Sequence, residues 1–133
     1  MSTAEVQTYK RLRARFRTSR QLGFITPVLT LEVAESPTQQ AQGLMHRDGL
    51  AHDAGMLFIF AKPSFYGFWM KNTRIPLDLA WLSQAGIVQE ARALSPHDET
   101  LNKPVRAAPY AVELPAGTFR KYDVRVGDRL VIL

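Results

Sequence analysis

The sequence contains no cysteine. Structural disulfides, thiolate zinc sites, iron–sulfur clusters and cysteine nucleophiles are therefore excluded at once. Nothing approaches the roughly 18 uninterrupted apolar residues of a membrane span. No Gly-x-Ser-x-Gly, phosphate-cradling glycine loop or dinucleotide fingerprint occurs. The three histidines, His46, His52 and His97, show neither His-x-His nor His-Glu-x-x-His spacing. No metal and no cofactor is expected on these grounds. What is there is a chain of 133 residues, the size of one domain. It is long enough to bury a core without a covalent or metallic staple. The absence of thiols suits a reducing compartment. Leu22–Leu29, broken by Thr26 and Pro27 and followed by Glu32, is a poor apolar stretch for a signal peptide. A soluble, cytoplasmic protein is therefore the expectation.

The formal net charge of +5 is unevenly placed. Residues 1–20 hold Lys10, Arg11, Arg13, Arg15, Arg17 and Arg20 against Glu5 alone, which accounts for all of it. The remainder is neutral, which argues against a core built to neutralise a phosphate backbone. Ser2-Thr3-Ala4-Glu5 has the form of a capping box, and Val6, Tyr9, Leu12 and Phe16 then recur at helical spacing. Residues 1–24 are therefore expected to be a basic extension, and residues 25–133 a single β domain. Residues 10–20 could contact an anionic membrane or nucleic acid weakly, or form a solvated extension that docks one aromatic ring.

Within 25–133, Val28–Ala34 alternates as a half-buried strand. Ser36-Pro37-Thr38-Gln39 combines an N-cap, a first-turn proline and a capping-box glutamine, predicting a helix to about Met45. Gly55–Phe60 suits a strand buried on both faces. Phe68–Thr73 reads as a strand, and Leu77–Leu82 with Ile87–Leu94 as a hairpin. Residues 95–109 form a loop long enough to be functional or mobile. Tyr110, Val112 and Leu114 alternate as a further strand. Thr118 is placed to cap one helical turn to Tyr122, and Arg129–Leu133 closes the chain. About seven strands with one or two short helices, without strand–helix alternation, predict a mainly β fold: a compact β-sandwich or partly closed barrel.

Three segments read together carry a family likeness: Gly43-Leu44-Met45-His46-Arg47, Gly55-Met56-Leu57-Phe58-Ile59-Phe60, and Phe68-Trp69-Met70-Lys71-Asn72-Thr73-Arg74-Ile75-Pro76-Leu77-Asp78. Gly86-Ile87-Val88, Tyr110, Glu113-Leu114, Ala116-Gly117 and Gly127-Asp128 support it. Over roughly residues 28–133 the chain resembles the uncharacterised family catalogued as domain of unknown function 192. The resemblance implies a compact β-sandwich-like fold and brings no established reaction. Many relatives are exported or lipid-anchored, and some carry cysteines in the loop that here reads Ser95–Thr100. This sequence departs on both points, so no thiol role transfers to that loop.

The chemistry-bearing residues admit contrasting readings. On a strand, Trp69, Lys71 and Thr73 share one face. An aromatic ring beside a cation makes a platform for a small anionic or sugar-like ligand. Arg47 and Asp78 are the nearby charged residues, and Asn72 suits either a ligand or the backbone of a turn. The opposing reading makes Trp69 core and lets Asp78 pair with Lys71 or Arg47. Met45, Met56 and Met70, with His46 adjacent, suggest Cu(I) on softness alone, but methionine is also an ordinary core filler. His97-Asp98-Glu99 are consecutive and converge poorly on one ion. The favoured reading is a non-catalytic binding domain with a patch of Arg47, Trp69, Lys71, Asn72 and Asp78. The alternatives are a small hydrolase using Asp78 and Glu113 as a carboxylate pair, and a structural module with the signature in its core.

Overall fold

The computed structural model describes residues 7–133. The capping box expected at Ser2–Glu5, and Val6, lie outside the described residues. Seven strands form one sheet: β1 (Lys10–Arg17), β2 (Leu29–Ala34), β3 (Ala54–Ser64), β4 (Leu77–Leu82), β5 (Val88–Leu94), β6 (Ala108–Pro115) and β7 (Arg129–Ile132). Their order is β5-β4-β6-β3-β2-β1-β7. Two short helices accompany them, α1 (Pro37–Gln42) and α2 (Thr118–Tyr122). The edge strands β5 and β7 approach each other through the bridge Ile87↔Arg129 and a Leu130 N–H to Gly86 C=O hydrogen bond of 2.9 Å. The fold is thus mainly β, a single sheet curled into a partly closed barrel.

The segment expected to be an extension is a strand inside this sheet. β1 pairs antiparallel with β2 on one side and β7 on the other. Its sequence, Lys-Arg-Leu-Arg-Ala-Arg-Phe-Arg, alternates with period two. Ala14 and Phe16 are fully buried while Arg11, Arg13 and Arg17 face solvent. The helical spacing of Tyr9, Leu12 and Phe16 was a coincidence of apolar positions, and the arginine alternation was the stronger signal. Residues 10–17 are thus part of the sheet and join β7 to β2.

β2 and β3 pair in parallel, with Val33 opposite Leu57. A parallel pair needs a crossover of a dozen or more residues, and residues 35–53, which contain α1, supply it. The capping box forms as its sequence predicts: Ser36 Oγ accepts from Gln39 N–H at 3.1 Å, and Gln39 Oε1 accepts from Ser36 N–H at 3.0 Å. The helix ends at Gln42, before the expected Met45, since Gly43 turns out of helical geometry at φ 49°.

The sheet buries both faces, unequally. One cluster draws on all seven strands, with Phe16, Leu29, Leu31, Leu57, Leu82, Val112, Leu114 and Leu130 among its members, and lines the inside of the barrel. The other lies on the outer face of β3, β4 and β6. There Met56, Phe58, Leu77, Leu79 and Trp81 pack against Leu44, Phe68, Met70 and Ile75 from the covering loops. Each such large apolar side chain contributes about 1.5–3 kcal/mol when fully buried. β3 and β6 run close together at Gly55, where a Cβ would stand 2.3 Å from the carbonyl oxygen of Glu113.

Candidate functional site

The covering loops are joined to one another by main-chain contacts. Phe68–Thr73, expected as a strand, is an irregular segment closed by a tight turn, with Thr73 N–H bonded to Met70 C=O at 3.1 Å. Asn72 holds the left-handed conformation at φ 55°, which its short amide side chain tolerates better than most. The turn breaks the alternation: Phe68 and Met70 are buried and Trp69 and Lys71 exposed, yet Thr73 is buried instead of facing out with them. Asn72 C=O accepts from His46 N–H at 2.8 Å, and Arg74 pairs with Asp48. The 95–109 loop is braced against the same segment. Phe68 and Asn102 exchange main-chain bonds of 2.9 and 2.7 Å, Met70 N–H reaches Asp98 C=O at 2.7 Å, and His97 N–H reaches Thr73 C=O at 3.1 Å. The Ile75–Pro76 peptide is trans.

Beneath these loops lies a narrow cavity of about 30 Å³, room for one or two water molecules. Its walls come from Gly43, Leu44, Phe58, Tyr66, Phe68 and Trp69, and Glu113 reaches it from β6. Glu113 stands directly opposite Met56 on β3 and Leu79 on β4, both fully buried. Only 4 % of Glu113 is exposed, and among the described residues nothing donates a hydrogen bond to its carboxyl. Burial alone pushes that carboxyl up to about 8, because ionising it in apolar surroundings forfeits hydration with nothing in return. At neutral pH it is therefore a neutral acid with one O–H to donate and an oxygen to accept. The half-buried Tyr66 phenol is also raised, first by burial and then by Glu113.

Trp69 stands at the rim, 41 % exposed, with Lys71 Nζ 5.2 Å from its ring centroid. Asn72 is exposed beside them. The other expected patch members are placed elsewhere. Arg47 forms a two-pronged ion pair with Glu32 on β2 and lies over the Tyr9 ring. Asp78 is buried on the inner face, and its Oδ2 accepts from Phe119 N–H at 3.0 Å. It caps α2, a task the sequence assigned to Thr118, whose Oγ1 instead donates to Pro115 C=O at 2.6 Å. Asp78 lies opposite Leu114 and Glu113 opposite Leu79, so the two carboxylates project from opposite faces of the sheet. They do not form the acid–base pair considered above. Met56 and Met70 are core, and among the described residues no three His, Asp or Glu side chains cluster as metal ligands. Tyr66 was not singled out from sequence; its only signal there is the aromatic run Phe65-Tyr66-Gly67-Phe68-Trp69.

The segments that wall the cavity carry the family likeness, and a family model matches residues 20–132. The chain belongs to the family domain of unknown function 192, described as an uncharacterised ACR. It is similar to a solved Sinorhizobium meliloti 1021 protein, provisionally described as a transcription regulator. The identity is 37 %, covering 97 % of this chain and 98 % of that one, with a TM-score of 0.89. A Novosphingobium aromaticivorans DSM 12444 protein of unknown function shares the fold, with 24 % identity over 98 % of this chain and 91 % of that one, and a TM-score of 0.83. No curated protein matches the chain.

Proposed function

We infer that this protein is a small-ligand-binding domain whose site is the Glu113 cavity and its Trp69–Lys71 rim. The observation that carries this is Glu113 itself, a buried acid left without a protein partner at the floor of an opening. Such a group costs stability and needs a compensating use. A neutral carboxyl that both donates and accepts complements a hydroxyl group. The exposed Trp69 ring offers a stacking face, and Lys71 a positive charge beside it. A sugar-like ligand bearing a negative charge uses all three, its ring on Trp69 and a single hydroxyl, directly or through a water, reaching into the small cavity to Glu113. A simple cation is disfavoured by Lys71 at the rim. The non-catalytic reading is favoured over hydrolysis by the separation of Asp78 and Glu113 onto opposite faces. The description of the Sinorhizobium relative would call for an element that reads nucleic acid. Helices of six and five residues are too short to fill a major groove.

Thermal-shift screening of neutral sugars, sugar acids and sugar phosphates tests the reading. A stabilising ligand is expected among the charged members, with binding lost in Trp69→Ala and weakened in Lys71→Ala. A hit that binds both variants as tightly as the parent protein counts against the site.

A further inference from the structure

The outer face of the sheet has a second exposed region, away from the Glu113 cavity. Arg11, Arg13, Arg15 and Arg17 project from alternate positions of β1 on the face shared with Glu32 and Thr30 of β2. On β7, Arg129 stands directly opposite Arg17 and Val131 opposite Arg15. Leu133 follows in register, its N–H bonded to Arg13 C=O at 2.9 Å. Lys10, Arg20, Arg47, Arg74, Arg92 and Arg125 all pair with carboxylates. Among the described residues, these five arginines meet none. Like charges directly opposite across a strand pair are unfavourable, and an external anion between Arg17 and Arg129 relieves that cost.

We propose that this face docks on an anionic lipid bilayer, with the arginines on headgroups and Leu22 and Leu133 dipping between them. Leu22, at the tip of the β1–β2 connection just past Arg17, is 99 % exposed, and Leu133 at the other end of the row is 57 % exposed. Guanidinium groups flanked by bare aliphatic side chains fit the boundary between headgroup and acyl chain. Nucleic acid fits less well. The aromatic rings of the face are already covered, Phe24 by Arg15 and Arg17 at 4.5 and 5.6 Å and Tyr9 by Arg47 at 5.8 Å, which leaves no open ring for a base to stack on.

Co-sedimentation of the full chain with phosphatidylcholine vesicles, with and without phosphatidylglycerol, tests this. Binding is expected only with phosphatidylglycerol and should fall as ionic strength rises. The combined variant Arg11→Gln, Arg13→Gln, Arg17→Gln should bind roughly tenfold more weakly or worse. Arg15 is left in place because its Nε holds Thr26 C=O, and an unchanged melting curve confirms that the variant folds. Leu22→Ser should weaken vesicle binding while leaving any binding to a DNA duplex untouched. Binding absent from phosphatidylglycerol vesicles, or unchanged in the folded triple variant, overturns the proposal. So does tighter binding to duplex DNA than to vesicles at equal salt, with Leu22→Ser silent in both.

Discussion

Along its width, the outer face of one sheet is finished in two different ways. Over β3, β4 and β6 it carries Met56, Phe58, Leu79 and Trp81, and loops from residues 43–50, 66–76 and 95–107 cover it. Over β1 and β7 it carries arginines and has no such apolar cluster. The covered half hides a carboxyl that lacks a partner, and the bare half displays arginines that meet no carboxylate among the described residues. In each half, an ionisable group is placed where folding alone gives no return for it. The barrel interior, by contrast, is almost wholly apolar, and its buried acid Asp78 is matched to the first turn of α2. The difference separates residues serving the fold from those left over for something else.

Glu113 gives the largest test of that separation. Its carboxyl titrates near 4.5 when unfolded and at about 8 when folded, so between those values the native state holds a proton that the unfolded state has released. Stability contributed by the neutral acid is fully present below pH 4.5 and is lost as pH rises through about 8. The loss is on the order of 3–5 kcal/mol, and urea titrations across this window should register it. Glu113→Gln should flatten the profile and be the more stable protein at pH 8. A parent protein whose stability is level from pH 5 to 8 would place a partner on Glu113 and remove the reason for a site there.

The tryptophans sharpen the same contrast. Trp81, 1 % exposed in the covered cluster, should cost about 3–5 kcal/mol as Trp81→Ala. Trp69→Ala should cost about 1 kcal/mol, since the residue is 41 % exposed and loses less packing. Equal destabilisation by the two would return Trp69 to the core. Asp78→Ala should fall between them, at about 1–3 kcal/mol, for the loss of a buried carboxylate that satisfies Phe119 N–H. Chemical denaturation of the three variants ranks them directly.

Much of this was legible in the sequence. Period-two runs in β2 and β6, the Ser36–Gln39 capping box and the Leu77–Leu94 hairpin each follow from local chemistry, and all three form. What was hidden depended on pairing across the chain. Leading into and along β1, Val6, Tyr9, Leu12 and Phe16 recur at helical spacing while the arginines alternate with period two, and only pairing with β2 and β7 decides for the strand. Asn72 forced a turn where the alternation of Phe68–Thr73 suggested a strand. Trp69 and Lys71 were legible as neighbours because they lie two positions apart. That Arg47 is drawn to Glu32, and that Asp78 and Glu113 part to opposite faces, depends on strand register, which spacing along the chain does not encode.

The smallest expected effect concerns the bare half. Arg17 and Arg129 stand opposite each other on neighbouring strands, and the arrangement is mildly unfavourable in an unliganded protein. Arg17→Glu replaces repulsion with a cross-strand ion pair and, at low salt, should raise stability by about 0.2–1 kcal/mol. The gain should shrink as ionic strength rises, because both side chains are exposed. The same variant should lose affinity for anionic vesicles, trading binding for stability. Arg17→Gln is the control, since it removes the repulsion without adding an attraction and should gain less. If Arg17→Glu lowers stability at low salt, Arg17 is already matched within the protein. The bare half would then be, like the interior, a finished piece of the fold.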